Sequence, residues 1–277
     1  MGLGAKQHPS NAHLTLCMSV LAGAAFIWFC CLPILGQDGL KAFLKNAGVC
    51  LSRVAGTAQE IERKSFHLAG LLVPLIYQGL LDRNFTQDFC CQICWTISIV
   101  GVSMDFARTQ IDFVRRNWPL GHILRENEQK TLCGGAFFSL GCTVSIWMFA
   151  PSVAMTSILF LILGDMSAAL IGRSFGGEVL KMRKIGRDGK KSIEGSLAMF
   201  TVNFLLAVTV FHEVHLREYP AFCGALIATI TELYEPFNLN DNLTIPLFGG
   251  LGLAWGFARI ENCQSESPSD TIWRAIM

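Results

Sequence analysis

The chain has 277 residues, of which 52% are hydrophobic and only 16% charged, with a mean hydropathy of +0.43. Soluble domains carry about 25% charged residues, so most of this surface does not face water. The net charge is +1 and no nucleic-acid-binding motif is present, so no nucleic-acid partner is expected.

A membrane-spanning helix needs about 20 apolar residues. Residues 14–35 meet that length. The run exceeds the apolar core of a signal peptide, about 7 to 15 residues, and only Lys6 precedes it, so it reads as a retained anchor helix. Further apolar runs cover 66–81, 89–107, 131–150, 152–164, 195–211, 221–233 and 243–258. Pro151 parts the fourth run from the fifth, because the residue before a proline avoids the helical region. The expected fold class is all-α: a polytopic transmembrane helix bundle of about 8 spans (7–9) with no soluble domain. Residues 1–59 form an N-terminal anchor helix and linker, 60–258 a membrane-embedded domain, and 259–277 a short tail. No transit peptide, retrieval signal or prenylation motif is seen.

The 11 cysteines lie mostly inside apolar runs and read as small buried hydrophobes. The pair Cys91 and Cys94 has no second pair to complete a zinc site. His212-Glu213-Val214-His215 lacks the four-residue histidine spacing of a metalloprotease helix and reads as an interhelical loop.

Basic residues set the orientation. If 8 spans alternate, one face carries 17 of the 22 Lys and Arg and the other carries 5. Cytoplasmic loops hold the excess of positive charge, so the first face is expected to be cytosolic. The polar clusters all fall there. Glu62-Arg63-Lys64-Ser65-Phe66-His67 precedes the second span and suits a phosphate or nucleotide, although a snorkelling anchor explains the pair as well. Asp105-Phe106-Ala107-Arg108 ends the third span, and a charged stretch, Leu124 to Lys130, follows; the carboxylates could coordinate Mg²⁺ or hold the arginines in place, and a solvated charged face explains them equally well.

Gly164-Asp165 ends an apolar run. An unpaired carboxylate at the membrane boundary costs up to about 2.5–3.5 kcal/mol, so Asp165 needs a partner, and a divalent cation is the natural one. Ala168, Ala169 and Gly172 permit close packing or close approach of a ligand. Gly176 and Gly177 permit turns that point N–H groups at phosphate. The basic stretch that follows ends in Gly189-Lys190-Lys191-Ser192-Ile193-Glu194-Gly195-Ser196. Anionic lipid would attract its charge, but lysines and a serine at a helix N-terminus also form a phosphate cradle. The spacing is not that of a Walker loop. Asp241-Asn242 opens the last span, where an N-cap explains one of them. Asp165 and Asp241 on one face could share a metal, as phosphoryl transfer requires.

Five segments in order, RKSFH at 63–67, LRENEQKTLCGGAFFSLG at 124–141, GDMSAALIGRSFG at 164–176, KKSIEGSLAMF at 190–200 and DNLTIP at 241–246, resemble the polyprenol kinase family. Phytol kinase, dolichol kinase and the CTP-dependent diacylglycerol kinase belong to it. The resemblance covers residues 60 to about 258 and makes that stretch a lipid kinase domain. It implies transfer of the γ-phosphoryl of CTP, or another nucleoside triphosphate, to the hydroxyl of diacylglycerol or a polyprenol-type lipid. The family's essential Arg-Lys pair and Gly-Asp…Gly signature correspond to Arg63, Lys64, Asp165 and Gly172.

On that footing Asp165 binds Mg²⁺ or another divalent cation, with Asp241 as second ligand or base. Arg173, Lys190 and Lys191 hold phosphates, and Gly172, Gly176, Ser192 and Glu194 complete the nucleotide site. Arg63 and Lys64 neutralise charge on the transferring group, and His67 assists removal of the lipid hydroxyl proton. Met166 departs from the polar residue or glycine usual after Gly-Asp, which bears on the lipid chosen. The single helix before Arg63 is most similar to the diacylglycerol kinase branch, with the endoplasmic reticulum or nuclear envelope as the expected membrane. CTP:phosphatidate cytidylyltransferases share much of this arrangement, but there Ser-Pro precedes the lysines, whereas Asp188-Gly189 does so here. A non-catalytic transporter or scaffold would place ionisable residues along the span centres, and the sequence shows none.

Overall fold

A computed structural model describes residues 11–118, 131–177, 179–180, 184–187, 189 and 191–265, with side chains at 11, 29, 32–34, 59, 62, 63, 66 and 262–265 outside the description. The described chain is helical throughout, apart from one antiparallel bridge between Ile185 and Lys191. Its helices are α1 (Asn11–Asn46), α2 (Leu51–Leu68), α3 (Leu72–Asp82), α4 (Gln87–Gln110), α5 (Asp112–Arg116), α6 (Gly134–Met148), α7 (Pro151–Leu159), α8 (Asp165–Phe175), α9 (Ile193–Val210), α10 (Glu218–Tyr234) and α11 (Asp241–Ser265).

The helix boundaries follow from local chemistry. Thr86 caps α4 by accepting from Phe89 N at 3.2 Å, and Ser192 caps α9 by accepting from Gly195 N at 3.1 Å. Each hydroxyl satisfies a donor that the first turn leaves unpaired. α7 begins on Pro151, whose missing N–H is no loss at a first helical position. Inside α11, Pro246 cannot donate to the carbonyl of Asn242. That freed carbonyl lies against Gly141 of α6, where a Cβ would come within 2.4 Å of it. The proline and the glycine together bring the two helices into close contact.

α7 is the axis of the bundle. Ala154, Met155, Ile158 and Leu159 are buried, as are Phe160, Leu161 and Ile162 of the π-helical turn Phe160–Gly164 that joins α7 to α8. A helix apolar on all sides belongs in the interior, and α6, α9 and α11 surround this one. α4 instead turns Ile97, Ile99, Val100 and Met104 outward, which suits a lipid-facing helix. The chain is a helical integral membrane protein.

Two expectations change. Among the described residues four helices are long and apolar enough to span, Gln87–Gln110, Pro151–Phe175, Ile193–Val210 and Asp241–Glu261. Ala12–Trp28, Ala69–Asp82 and Gly134–Met148 are apolar but shorter, so a count of 7–9 full spans is not supported. The run 152–164 is one half of a continuous rod that carries Asp165 in its middle. The segment before the second apolar run is also no linker. α2 is an amphipathic helix whose Val54, Ala58 and Ile61 pack on Leu40, Leu44 and Val49, and Trp28 Nε1 of α1 donates to Ser65 Oγ at 2.9 Å. It runs unbroken across the expected boundary at 59/60.

Candidate active site

α2, α8, the start of α9, and the facing ends of α10 and α11 enclose a cavity of about 950 Å³. Each element contributes polar groups for a local reason. On α2, Arg53, Gly56, Glu60 and Lys64 recur at helical spacing and line one wall. Opposite stand Asp165, Ala168, Ala169, Gly172 and Arg173 of α8. Ala168 and Gly172 let α9 approach so closely that a Cβ on Gly195 would meet the Ala168 carbonyl at 2.7 Å. The small residues therefore serve helix packing and cavity lining at once.

At the centre, Lys64 Nζ forms an ion pair with Asp165 Oδ2, and His67 Nε2 lies 3.8 Å from the same oxygen. Lys64 is 4% exposed and Asp165 5%, so each needs the other to offset the loss of hydration. The partner that Asp165 requires is met in this structure by a lysine 101 residues away. Asp241 lines the same cavity, near enough to Asp165 for their charges to repel.

The opposite rim is held by Lys191. Its residue pairs with Ile185 through Ile185 N to Lys191 O at 2.8 Å and Lys191 N to Ile185 O at 3.2 Å. Gly186 and Gly189 take φ values of +83° and +61° in the intervening turn, a region that favours glycine. Lys191 Nζ donates to Glu232 Oε1 at 2.5 Å and lies 3.5 Å from Glu235 Oε1. Burial works against the Lys191 ammonium, but the Glu232 carboxylate, with Asp241 and Glu235, outweighs it and holds the pKa above the ordinary lysine value.

The other expected residues fall into place unequally. Gly172, Arg173, Gly176 and Ser192 line the cavity. Glu194 does not: its Oε1 accepts from Gly177 N at 2.9 Å and Leu180 N at 3.1 Å, so it secures the loop after α8. Of the two adjacent glycines only Gly177 has positive φ. Gly176 is required for space, since a Cβ there would lie 2.2 Å from the Gly172 carbonyl. Arg63 is within α2, but its side chain lies outside the described residues, as does Lys190 altogether. The whole of the segment 124–130 is likewise outside them.

Arg53, Glu60 and Glu232 line the cavity without having been singled out, beside Lys184 and Glu235. The spacing of 53, 56, 60 and 64 was a usable signal for the first two. Glu232 also had one, being an acid at the end of an otherwise apolar run, where a partner is required.

Of the alternatives for Asp105 and Arg108, the structure shows the carboxylate holding the arginine rather than a solvated face: they are buried at 2% and 0% exposure. Arg108 Nε donates to Asp105 Oδ1 at 2.7 Å, Arg108 donates a second bond to the Thr131 carbonyl at 2.7 Å, and Asp105 Oδ2 accepts from Cys133 N at 2.7 Å. The pair ties α4 to the chain that enters α6.

Two carboxylates flanked by ammonium groups suit a ligand rich in phosphate. Mg²⁺ takes only one or two protein carboxylates, the rest of its shell being water and phosphate. Asp165 and Asp241 are two such carboxylates on one cavity, and among the described residues no cluster of three metal-ligating side chains forms.

The fold and this cavity define a helical membrane protein with a charged pocket built on its embedded helices. No family model matches the chain, and no solved structure does. CTP-dependent diacylglycerol kinase 1 of Saccharomyces cerevisiae is 26% identical over 228 residues, covering 70% of this chain and 72% of that protein. The Schizosaccharomyces pombe protein of the same name is 26% identical over 209 residues, covering 68% and 89%. A chloroplastic farnesol kinase of Arabidopsis thaliana is 29% identical over 138 residues, 45% of this chain and 43% of its own. Over about 70% of its length the chain is thus similar to CTP-dependent diacylglycerol kinases, and over a shorter stretch to a farnesol kinase.

Proposed function

We propose that the protein is a lipid kinase that transfers the γ-phosphoryl of CTP to the hydroxyl of diacylglycerol or a related lipid alcohol. The observation that carries this reading is the meeting of Lys64, Asp165, Lys191 and Asp241 around one cavity, in a chain whose relatives are named kinases of such lipids. In the reaction the lipid oxygen bonds to the γ-phosphorus and the bond to the β,γ-bridging oxygen breaks. The hydroxyl proton is lost and CDP departs.

Such transfers gain most from positioning and from charge placed where charge develops. Lys191 and Arg173 hold the phosphates. Lys64, with Arg63 beside it in sequence, compensates charge on the transferring group. Asp165 and Asp241 would hold a divalent cation such as Mg²⁺, which would supply positive charge to offset that of the phosphates. His67, whose Nε2 lies 3.8 Å from Asp165 Oδ2, would assist removal of the hydroxyl proton. Ser192 and the small residues around Gly172 shape the floor, and the face is cytosolic in the endoplasmic reticulum or nuclear envelope.

The test uses membranes containing the protein, candidate lipids, and CTP labelled at the γ- or the α-phosphate. Lipid labelled only from the γ position supports the kinase. Label arriving from the α position refutes it in favour of cytidylyl transfer. Asp165→Asn is expected to abolish transfer.

A further inference from the structure

Glu232 sits on α10, outside every segment that carries the family resemblance, yet it is 3% exposed and lines the cavity. One oxygen, Oε1, accepts from Lys191 Nζ at 2.5 Å. The other, Oε2, is buried without a hydrogen-bond partner among the described residues. A buried carboxylate is costly unless paired, and here its one strong hydrogen bond is to Lys191. α10 holds the turn between Ile185 and Lys191 a second time, through Arg187 N to the Leu233 carbonyl at 3.4 Å. Neighbouring residues of one rigid helix therefore fix both the backbone and the ammonium of this turn.

Lysine is a point charge on a flexible four-carbon stem. Left alone it would sample many positions, and ordering it would oppose phosphate binding. Its ammonium carries three donors, so a bond to Glu232 still leaves two for phosphate oxygens.

We propose that Glu232 is a positioning residue for the nucleotide site: it anchors Lys191 over the cavity so that the ammonium meets the phosphates of the incoming nucleoside triphosphate. The inference rests on the lipid-kinase reading above. It predicts that Glu232 acts wholly through Lys191, which a merely structural carboxylate would not do.

The test is CTP binding to the purified full-length protein, with the lipid KM measured in parallel, for wild type, Glu232→Gln, Glu232→Asp, Lys191→Ala and the Lys191→Ala/Glu232→Gln pair. Loss of a charge-assisted contact predicts CTP affinity about tenfold weaker in Glu232→Gln, with the lipid KM unchanged. Glu232→Asp, which keeps the charge and tests the site if the glutamine variant does not fold, is expected to retain part of the binding. In the Lys191→Ala background the glutamine substitution should weaken binding no further. Additive losses, a shifted lipid KM with unchanged CTP affinity, or wild-type affinity in folded Glu232→Gln would overturn the proposal. Folded wild-type protein that binds no nucleoside triphosphate would instead remove the kinase reading on which it rests.

Discussion

Lys64→Met removes the ammonium that faces Asp165 and leaves the buried carboxylate, 5% exposed, with His67 Nε2 3.8 Å away. Breaking a buried ion pair by deleting one partner costs about 3–5 kcal/mol, whereas replacing both charges with apolar groups of similar volume is often neutral. The magnitude is set by the surviving charge more than by the lost contact. For a chain of this size the single substitution should lower the unfolding midpoint by on the order of 10 °C. Lys64→Met/Asp165→Leu should recover most of that loss while remaining inactive. Thermal unfolding of the detergent-solubilised protein, followed by tryptophan fluorescence, measures both variants. Additive destabilisation in the double variant, or a single variant within about 1 kcal/mol of wild type, would show that these charges are not partners in the folded protein.

Arg108→Met leaves Asp105 buried beside α6 and is expected to cost about 3–5 kcal/mol, read in the same unfolding assay; a surface-like effect below about 0.5 kcal/mol would refute the burial. Gly164→Ala places a Cβ 2.3 Å from the Asn203 side-chain oxygen, so overpacking should destabilise by about 1–3 kcal/mol. Asn203→Ala in the same chain should relieve it, and no relief would place the strain elsewhere. For sidedness, Ser52→Cys at the cavity wall of an otherwise cysteine-free chain should react with a membrane-impermeant thiol reagent added to the cytosolic side of sealed vesicles. Reaction only from the lumenal side would reverse the orientation.

Much of the helical framework and part of the site could be read before any coordinates. Pro151 marks a helix start, and Asp165 demands a partner wherever it lies near lipid. What hydropathy could not separate was a short buried helix from a spanning one, because both are apolar runs; the 15-residue α6 was therefore counted with the spans. α2 was missed for the opposite reason. It has no long apolar run, and its signal is the periodic recurrence of Arg53, Gly56, Glu60 and Lys64 against Val54, Ala58 and Ile61. Glu194 belongs to a recognisable segment but turns back onto the backbone of Gly177 and Leu180, an outcome decided by loop geometry. Glu232 belongs to no segment, and its pairing with Lys191 exists only once α10 lies beside the turn. For Asp105 and Arg108 a mutual pair and a solvated face were equally open, because their further partners, at Thr131 and Cys133, come from a distant stretch.

The π-helical turn at Phe160–Gly164 has an effect on spatial register. Such a turn holds one residue more than the α-helical turn it replaces, and each residue advances an α-helix by about 100°. The surplus residue acts as an angular offset built into a rod that is otherwise continuous from Pro151 to Phe175. Deleting one residue within it would let the rod close into regular α-helix and swing the whole of α8 around its own axis. Asp165, Ala168 and Gly172 would then turn away from the cavity together, with the apolar core of α7 undisturbed. Insertions and deletions in this short stretch should therefore disable the site in a way that single substitutions there do not, although the chain keeps its composition and hydropathy.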